Sequence, residues 1–133
     1  MVCRAVINEF EQPRASRTLF TLVDMTDTPA NASAAVRAQV NALIARLWGD
    51  PLTDLSVEQN SAYNLFQEVW ADRVANAPST WLYHNDTQND AEDEFCLLDW
   101  DNESALRQDP NHTLRSWMAV LTYLLSDFRL LYE

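Results

Sequence analysis

The sequence predicts a mainly α fold, a small bundle of three long helices with a minor N-terminal element. It also predicts a long acidic loop, with a possible short β-hairpin, before the last helix. Three observations predict it. The 133 residues contain a single glycine, Gly49, whereas sheets with tight hairpins usually use several for positive φ angles. Apolar residues recur at three- and four-residue intervals in three segments. Each of those segments is punctuated by capping residues and prolines.

Residues 2–25 hold two apolar clusters, Ala5-Val6-Ile7 and Leu19–Val23, separated by Pro13. The second suits either a buried strand or a short helix, because periodicity does not separate them at this length. Leu19, Leu22 and Val23 share a helical face, which favours a helix over Ser16–Met25.

The first long helix is expected from about Ala30 to Trp48. Thr28 reads as its N-cap and Pro29 as its opening residue. Val36, Val40, Leu43 and Leu47 form its stripe, with Arg37, Asn41 and Arg46 outside it. Gly49 reads as a left-handed C′ residue, and Pro51 bars continuation. A second helix is expected from Val57 to Asn76. Ser56 and Gln59 have the spacing of a capping box, and Tyr63, Phe66, Trp70 and Val74 form an aromatic stripe. The third is expected from Pro110 to Tyr132, capped by Asp109. Leu114, Trp117, Leu121, Leu124, Leu125, Phe128 and Leu131, widened by Met118 and Val120, give it an apolar face over half its circumference. Such a helix is central in its fold or turns one side to a partner. Trp70 and Trp117 are expected near the centre.

The length suits one domain, residues 1–133. No apolar run approaches the roughly 20 residues needed to span a bilayer, and no secretory leader is evident at Met1. A cytoplasmic location is expected, or an extracellular or surface one if the chain is part of an exported protein.

The net charge is −11, from 20 acidic residues and 9 arginines, and the chain has no lysine. A field of this sign disfavours direct binding to nucleic acid or anionic lipid and attracts basic partners. Acid excess also serves solubility. Eight carboxylates fall between Asp86 and Glu103 with no basic residue among them. Their mutual repulsion calls for solvent, a cation or a cationic partner. The charge-bearing candidates are Asp86, Asp90, Glu92, Asp93, Glu94, Asp99 and Asp101, with Trp81, Tyr83 and Trp100 as aromatic anchors. The plainer alternative is a solvated loop anchored by those rings.

Asp86, Asp90, Glu92 and Glu94 could offer oxygen ligands to calcium. The pattern fails where Ala91 stands for the turn glycine and Leu97 for the bidentate glutamate. No metal and no cofactor is expected. His84 has carboxylate neighbours but no nucleophile context, and His112 is expected to face solvent at the start of the last helix. With no phosphate-binding loop, H-E-x-x-H or G-x-S-x-G motif, an enzyme is not expected.

Cys3 and Cys96 suit either one long-loop disulfide or two free thiols. Four glycosylation triplets begin at Asn31, Asn85, Asn102 and Asn111, two of them where helices are expected to start. The leading expectation is therefore a non-enzymatic acidic protein-binding protein, of inhibitor, neutralising or nucleic-acid-mimic type, that occupies a basic surface of a partner protein. The alternative is a structural module of a larger extracellular or surface assembly, glycosylated and disulfide-bridged.

Overall fold

The computed structural model describes residues 2–49, 55–76 and 109–126. Four α-helices carry this part of the chain: α1 (Val2–Glu11), α2 (Ser33–Trp48), α3 (Ser56–Asn76) and α4 (Thr113–Ser126). The described residues contain no strand. The protein is a small packed helical bundle, with α4 set against all three other helices. Apolar breadth on α4 thus reflects a central position: Leu114, Trp117, Val120 and Leu124 are fully buried, while Leu125 lies at the surface. Phe128 and Leu131 lie outside the described residues.

The core is organised by four rings in sequence. Phe10 of α1 meets Phe20 at 5.0 Å, Phe20 meets Trp117 edge-on at 5.3 Å, and Trp117 meets Phe66 of α3 at 4.5 Å. Tilted and edge-on pairs of this kind add to the area term of burial. Trp117 occupies the expected central place. Trp70 is only partly buried, and its indole N–H donates to the Asn111 carbonyl at 3.2 Å. Together the 66–117 and 70–111 contacts fix α3 antiparallel to α4. Tyr63 and Phe66 are buried as their stripe requires, but Val74, expected on that stripe, is 54% exposed. Arg37 of α2 stacks 4.0 Å over the Tyr63 ring and donates to Asn60 Oδ1 at 3.1 Å.

α1 forms because Val2, Val6 and Phe10 recur every four residues, with Ile7 beside them; Val6, Ile7 and Phe10 are buried. Pro13 follows its end, and a single 3₁₀ turn spans Arg14–Ser16.

The helix expected over Ser16–Met25 is absent. Residues 17–23 run without helix although Phe20 and Val23 are fully buried. Side chains replace the helical hydrogen bonds. Glu9 accepts the N–H groups of Thr18, Leu19 and Phe20 at 3.2, 2.8 and 3.0 Å. Gln39 donates to the Leu19 carbonyl and accepts the Leu22 N–H, both at 2.8 Å. Arg17 donates to the carbonyls of Gln12, Phe20 and Val23 at 2.9, 3.2 and 2.8 Å. Buried backbone groups need such partners wherever no helix or sheet supplies them.

Helix starts also differ from expectation. Thr28 does cap, but it caps an isolated turn: its Oγ1 accepts the N–H groups of Ala30 and Asn31, and Asn31 Oδ1 accepts the Thr28 N–H. Ala32 then leaves helical geometry, at φ −149°, so α2 begins at Ser33 rather than Ala30 and Pro29 lies in the turn. Val36, Val40 and Leu43 are buried as expected, and Gln39 and Ile44 join them; Leu47 is partly buried. Gly49 closes α2 at φ 80° and ψ −175°, with its N–H on the Ala45 carbonyl at 2.9 Å. That ψ departs from the left-handed helical cap and lies in a region restricted to glycine. In α3 the first carbonyl acceptor is Leu55, which places Ser56 inside the helix instead of at its cap.

α4 starts at Thr113, three residues later than expected. Asp109 and His112 both have positive φ, 45° and 61°, and the His112 N–H returns to the Asp109 carbonyl at 3.0 Å. Asp109 still caps the helix from beyond this turn: its carboxylate accepts the N–H groups of Leu114 and Arg115 at 3.0 and 3.2 Å. These are orphan donors of the first helical turn. His112, expected to face solvent, is half-buried, and its Nδ1 is enclosed without a hydrogen-bond partner among the described residues.

Candidate functional site

The expected binding residues, Trp81, Tyr83, Asp86, Asp90, Glu92, Asp93, Glu94, Asp99, Trp100 and Asp101, all lie outside the described residues. So do His84, Cys96 and the acidic loop with its possible hairpin; the Cys3 side chain is likewise outside the description. What the described residues establish is how charge divides along the chain. They contain eight acids (Glu9, Glu11, Asp24, Asp27, Glu58, Glu68, Asp72, Asp109) against seven arginines (4, 14, 17, 37, 46, 73, 115). The other twelve acids and only two arginines belong to the remaining segments. The described residues are close to electroneutral, and eight of the remaining acids fall between Asp86 and Glu103.

Within the bundle, opposite charges meet. Arg14 bonds Asp24 and lies 3.8 Å from Asp27, and Arg17 lies 3.3 Å from Asp24. The Arg17 guanidinium also sits 4.8 Å over the Phe10 ring. Burial pushes the Glu9 carboxyl up, but the Phe20, Leu19 and Thr18 N–H groups and the Arg17 charge outweigh it. The net result is a carboxyl held below the ordinary glutamate range. At Asp109 burial wins: the carboxyl is pushed up despite its bonds to Leu114 and Arg115 and the charges of His112 and Arg115. These carboxylates are occupied in holding backbone, which is a structural task. Among the described residues no group of three or more His, Cys, Asp or Glu side chains is placed to hold a metal.

One surface feature went unread in the sequence. Between α3 and α4 runs an open groove of about 510 Å³, lined by Leu65, Val69 and Arg73 of α3 and by Arg115, Met118, Ala119, Thr122 and Tyr123 of α4. Leu65, Val69 and Arg73 follow one another at four-residue intervals, a second stripe beside the aromatic one. That spacing was the available signal.

Two glycosylation triplets fall among the described residues. The Asn31 side-chain amide donates to the Thr26 carbonyl at 3.1 Å. In the triplet at Asn111, Thr113 is fully buried and its hydroxyl donates to the Met25 carbonyl. Both triplets serve turns that precede helices.

The class these features define is a small mainly α domain, a packed helical bundle in its described residues. No protein-family model matches the chain, and neither a curated protein nor a solved structure matches it. No helix among the described residues is long and apolar enough to cross a membrane.

Proposed function

We propose that this chain is a non-enzymatic binding domain whose acidic stretch, Asp86 to Glu103, occupies a basic surface of a partner protein. The carrying observation is the division of charge. Eight of the twenty acids fall between Asp86 and Glu103 with no basic residue among them, while Arg14, Arg17 and Arg37 are engaged within the described helices and turns. Acid needed only to offset arginine would not accumulate in a stretch that contains no arginine. Dense negative charge steers encounter with a positive patch, and Trp81, Tyr83 and Trp100 supply aromatic area beside it.

The test is capture of partners by the immobilised full chain at low and at high salt. Screening over a Debye length of about 8–10 Å near physiological salt acts strongly on exposed charge. Capture is expected to fall steeply as salt rises, and to be lost when Asp86, Asp90, Glu92, Asp93 and Glu94 are all changed to amides. Helical circular dichroism of that variant should be unchanged. Capture indifferent to salt and to the substitutions overturns the reading.

A further inference from the structure

We infer that the Asp109–Pro110 peptide bond is a self-cleavage site, broken in mildly acidic solution by the Asp109 side chain to leave residues 1–109 and 110–133 as a nicked pair. This goes beyond the binding reading and does not depend on it. Asp109 and His112 have φ 45° and 61°, in the region that favours glycine. Such backbone persists only where its surroundings hold it. Here the Trp70 indole of α3 donates to the Asn111 carbonyl at 3.2 Å, the Ser116 hydroxyl donates to the His112 carbonyl at 2.9 Å, and the Thr113 hydroxyl is tied to the Met25 carbonyl. The turn is therefore pinned in a strained form, and breaking the 109–110 bond frees Asp109 from it.

The parts that the reaction needs meet at this one bond. The Asp109 carboxyl is fully buried and held by the Leu114 and Arg115 N–H groups at 3.0 and 3.2 Å. It belongs to the same residue as the carbonyl carbon it attacks, so closure makes a five-membered ring without a bimolecular encounter. The Asp109 carbonyl oxygen accepts the His112 N–H at 3.0 Å, a bond that steadies the negative charge developing there during attack. Pro110, the leaving residue, is exposed. In the first step one carboxyl oxygen bonds to the Asp109 carbonyl carbon and the C–N bond to Pro110 breaks. The carboxyl proton ends on the Pro110 nitrogen, which leaves as a secondary amine, and Asp109 becomes a cyclic anhydride. One water then opens the ring, restoring the side-chain carboxyl and leaving a C-terminal carboxyl on residue 109. Burial pushes the Asp109 carboxyl up, so the protonated form is present in milder acid than for an ordinary aspartate. The charges that bear on it are His112 of its own turn and Arg115 of α4, whereas Trp70 and the Met25 carbonyl, which hold the turn from α3 and from the segment before α2, are uncharged.

The experiment is incubation of the purified full chain at neutral pH and at the lowest pH where its helical circular dichroism is retained, followed by intact mass spectrometry under denaturing conditions. Fragments 1–109 and 110–133, together heavier than the chain by one water, are expected in acid and not at neutral pH. The chain's other Asp–Pro bond, Asp50–Pro51, is the internal reference, and the same protein in urea at the same acid pH is the unfolded one. Cleavage at 109–110 in the folded protein should be about ten-fold faster or more than at either reference, because only the folded turn supplies strain and a held carboxyl. Before denaturation the fragments should elute together, since α4 packs against all three other helices. Asp109→Asn removes the nucleophile and the proton and should suppress cleavage. Pro110→Ala leaves the Asp109 carboxyl in place at an exposed position and should suppress it too, with unchanged circular dichroism verifying the fold. A chain that stays intact in acid overturns the inference. So does cleavage at equal rates in folded and unfolded protein, which is the ordinary acid lability of Asp–Pro bonds, or cleavage that persists in Pro110→Ala.

Discussion

Glu9 on α1 receives the backbone N–H of Phe20 at 3.0 Å, in the interior of the bundle and eleven residues along the chain. This bond lets a non-helical segment pass through the core. Phe20 is the ring that joins α1 to Trp117, so the carboxylate of one helix holds the wedge that packs the others. Gln39 and Arg17 complete the arrangement from α2 and from the segment itself.

Removing the Glu9 carboxylate should therefore be costly. Glu9→Ala leaves the Phe20 amide buried and unpaired and strips Thr18 and Leu19 of their acceptor. A loss of about 2–3 kcal/mol is expected, since an unsatisfied buried group costs about 1–3 kcal/mol. Glu9→Gln keeps one acceptor and should lose less. Urea denaturation midpoints would check both.

Gln39 is fully buried and uses both ends of its amide. Gln39→Leu conserves volume but orphans the Leu19 carbonyl and the Leu22 N–H. We expect a loss of about 2–4 kcal/mol on the same scale. Faster hydrogen exchange should appear at residues 19–23, measured by mass spectrometry. Unchanged exchange there would show that water replaces the amide without cost.

Acid should act on two carboxyls in opposite senses. Glu9 is held low, so its contribution to stability is present above the ordinary glutamate value and disappears as pH falls through the lowered folded value. Asp109 is pushed up, so the fold favours its protonated form. That contribution is present below the ordinary aspartate value and is lost as pH rises through the raised folded value. As pH falls, protonation of Asp109 relieves a penalty, whereas protonation of Glu9 weakens the fold. Asp109→Asn should remove the stabilising response to acid and Glu9→Gln the destabilising one, in unfolding midpoints measured against pH.

Gly49 is placed where its backbone, not its surroundings, requires glycine. A Cβ there would meet nothing within 4 Å, yet φ is 80° with ψ at −175°. Gly49→Ala should cost about 1–3 kcal/mol from strain alone. Thermal melting reports it, and no loss would mean that the α2 terminus adopts another geometry.

The buried rings give the sharpest stability test. Phe66→Ala removes the partner of Trp117 and should cost about 3–5 kcal/mol, the range for large aromatic truncations. A variant retaining near-parental stability would show that α3 is not docked through this ring.

The amino-acid order alone determined the helical class, because the spacings of Val36, Val40 and Leu43, of Tyr63 and Phe66, and of Leu114, Trp117 and Leu121 are local properties. It likewise determined the accumulation of acid ahead of α4. Tertiary structure decided the rest. Leu19, Leu22 and Val23 have a helical spacing, yet residues 17–23 are not helical, because Glu9 and Gln39, distant in sequence, satisfy that backbone from the side. Asp109 caps α4 from beyond a turn that no propensity specifies. Arg73 and Arg115 share one end of a groove only because α3 and α4 pack antiparallel. Periodicity reports which face of an element is apolar; which partners reach a buried polar group depends on contacts made across the fold.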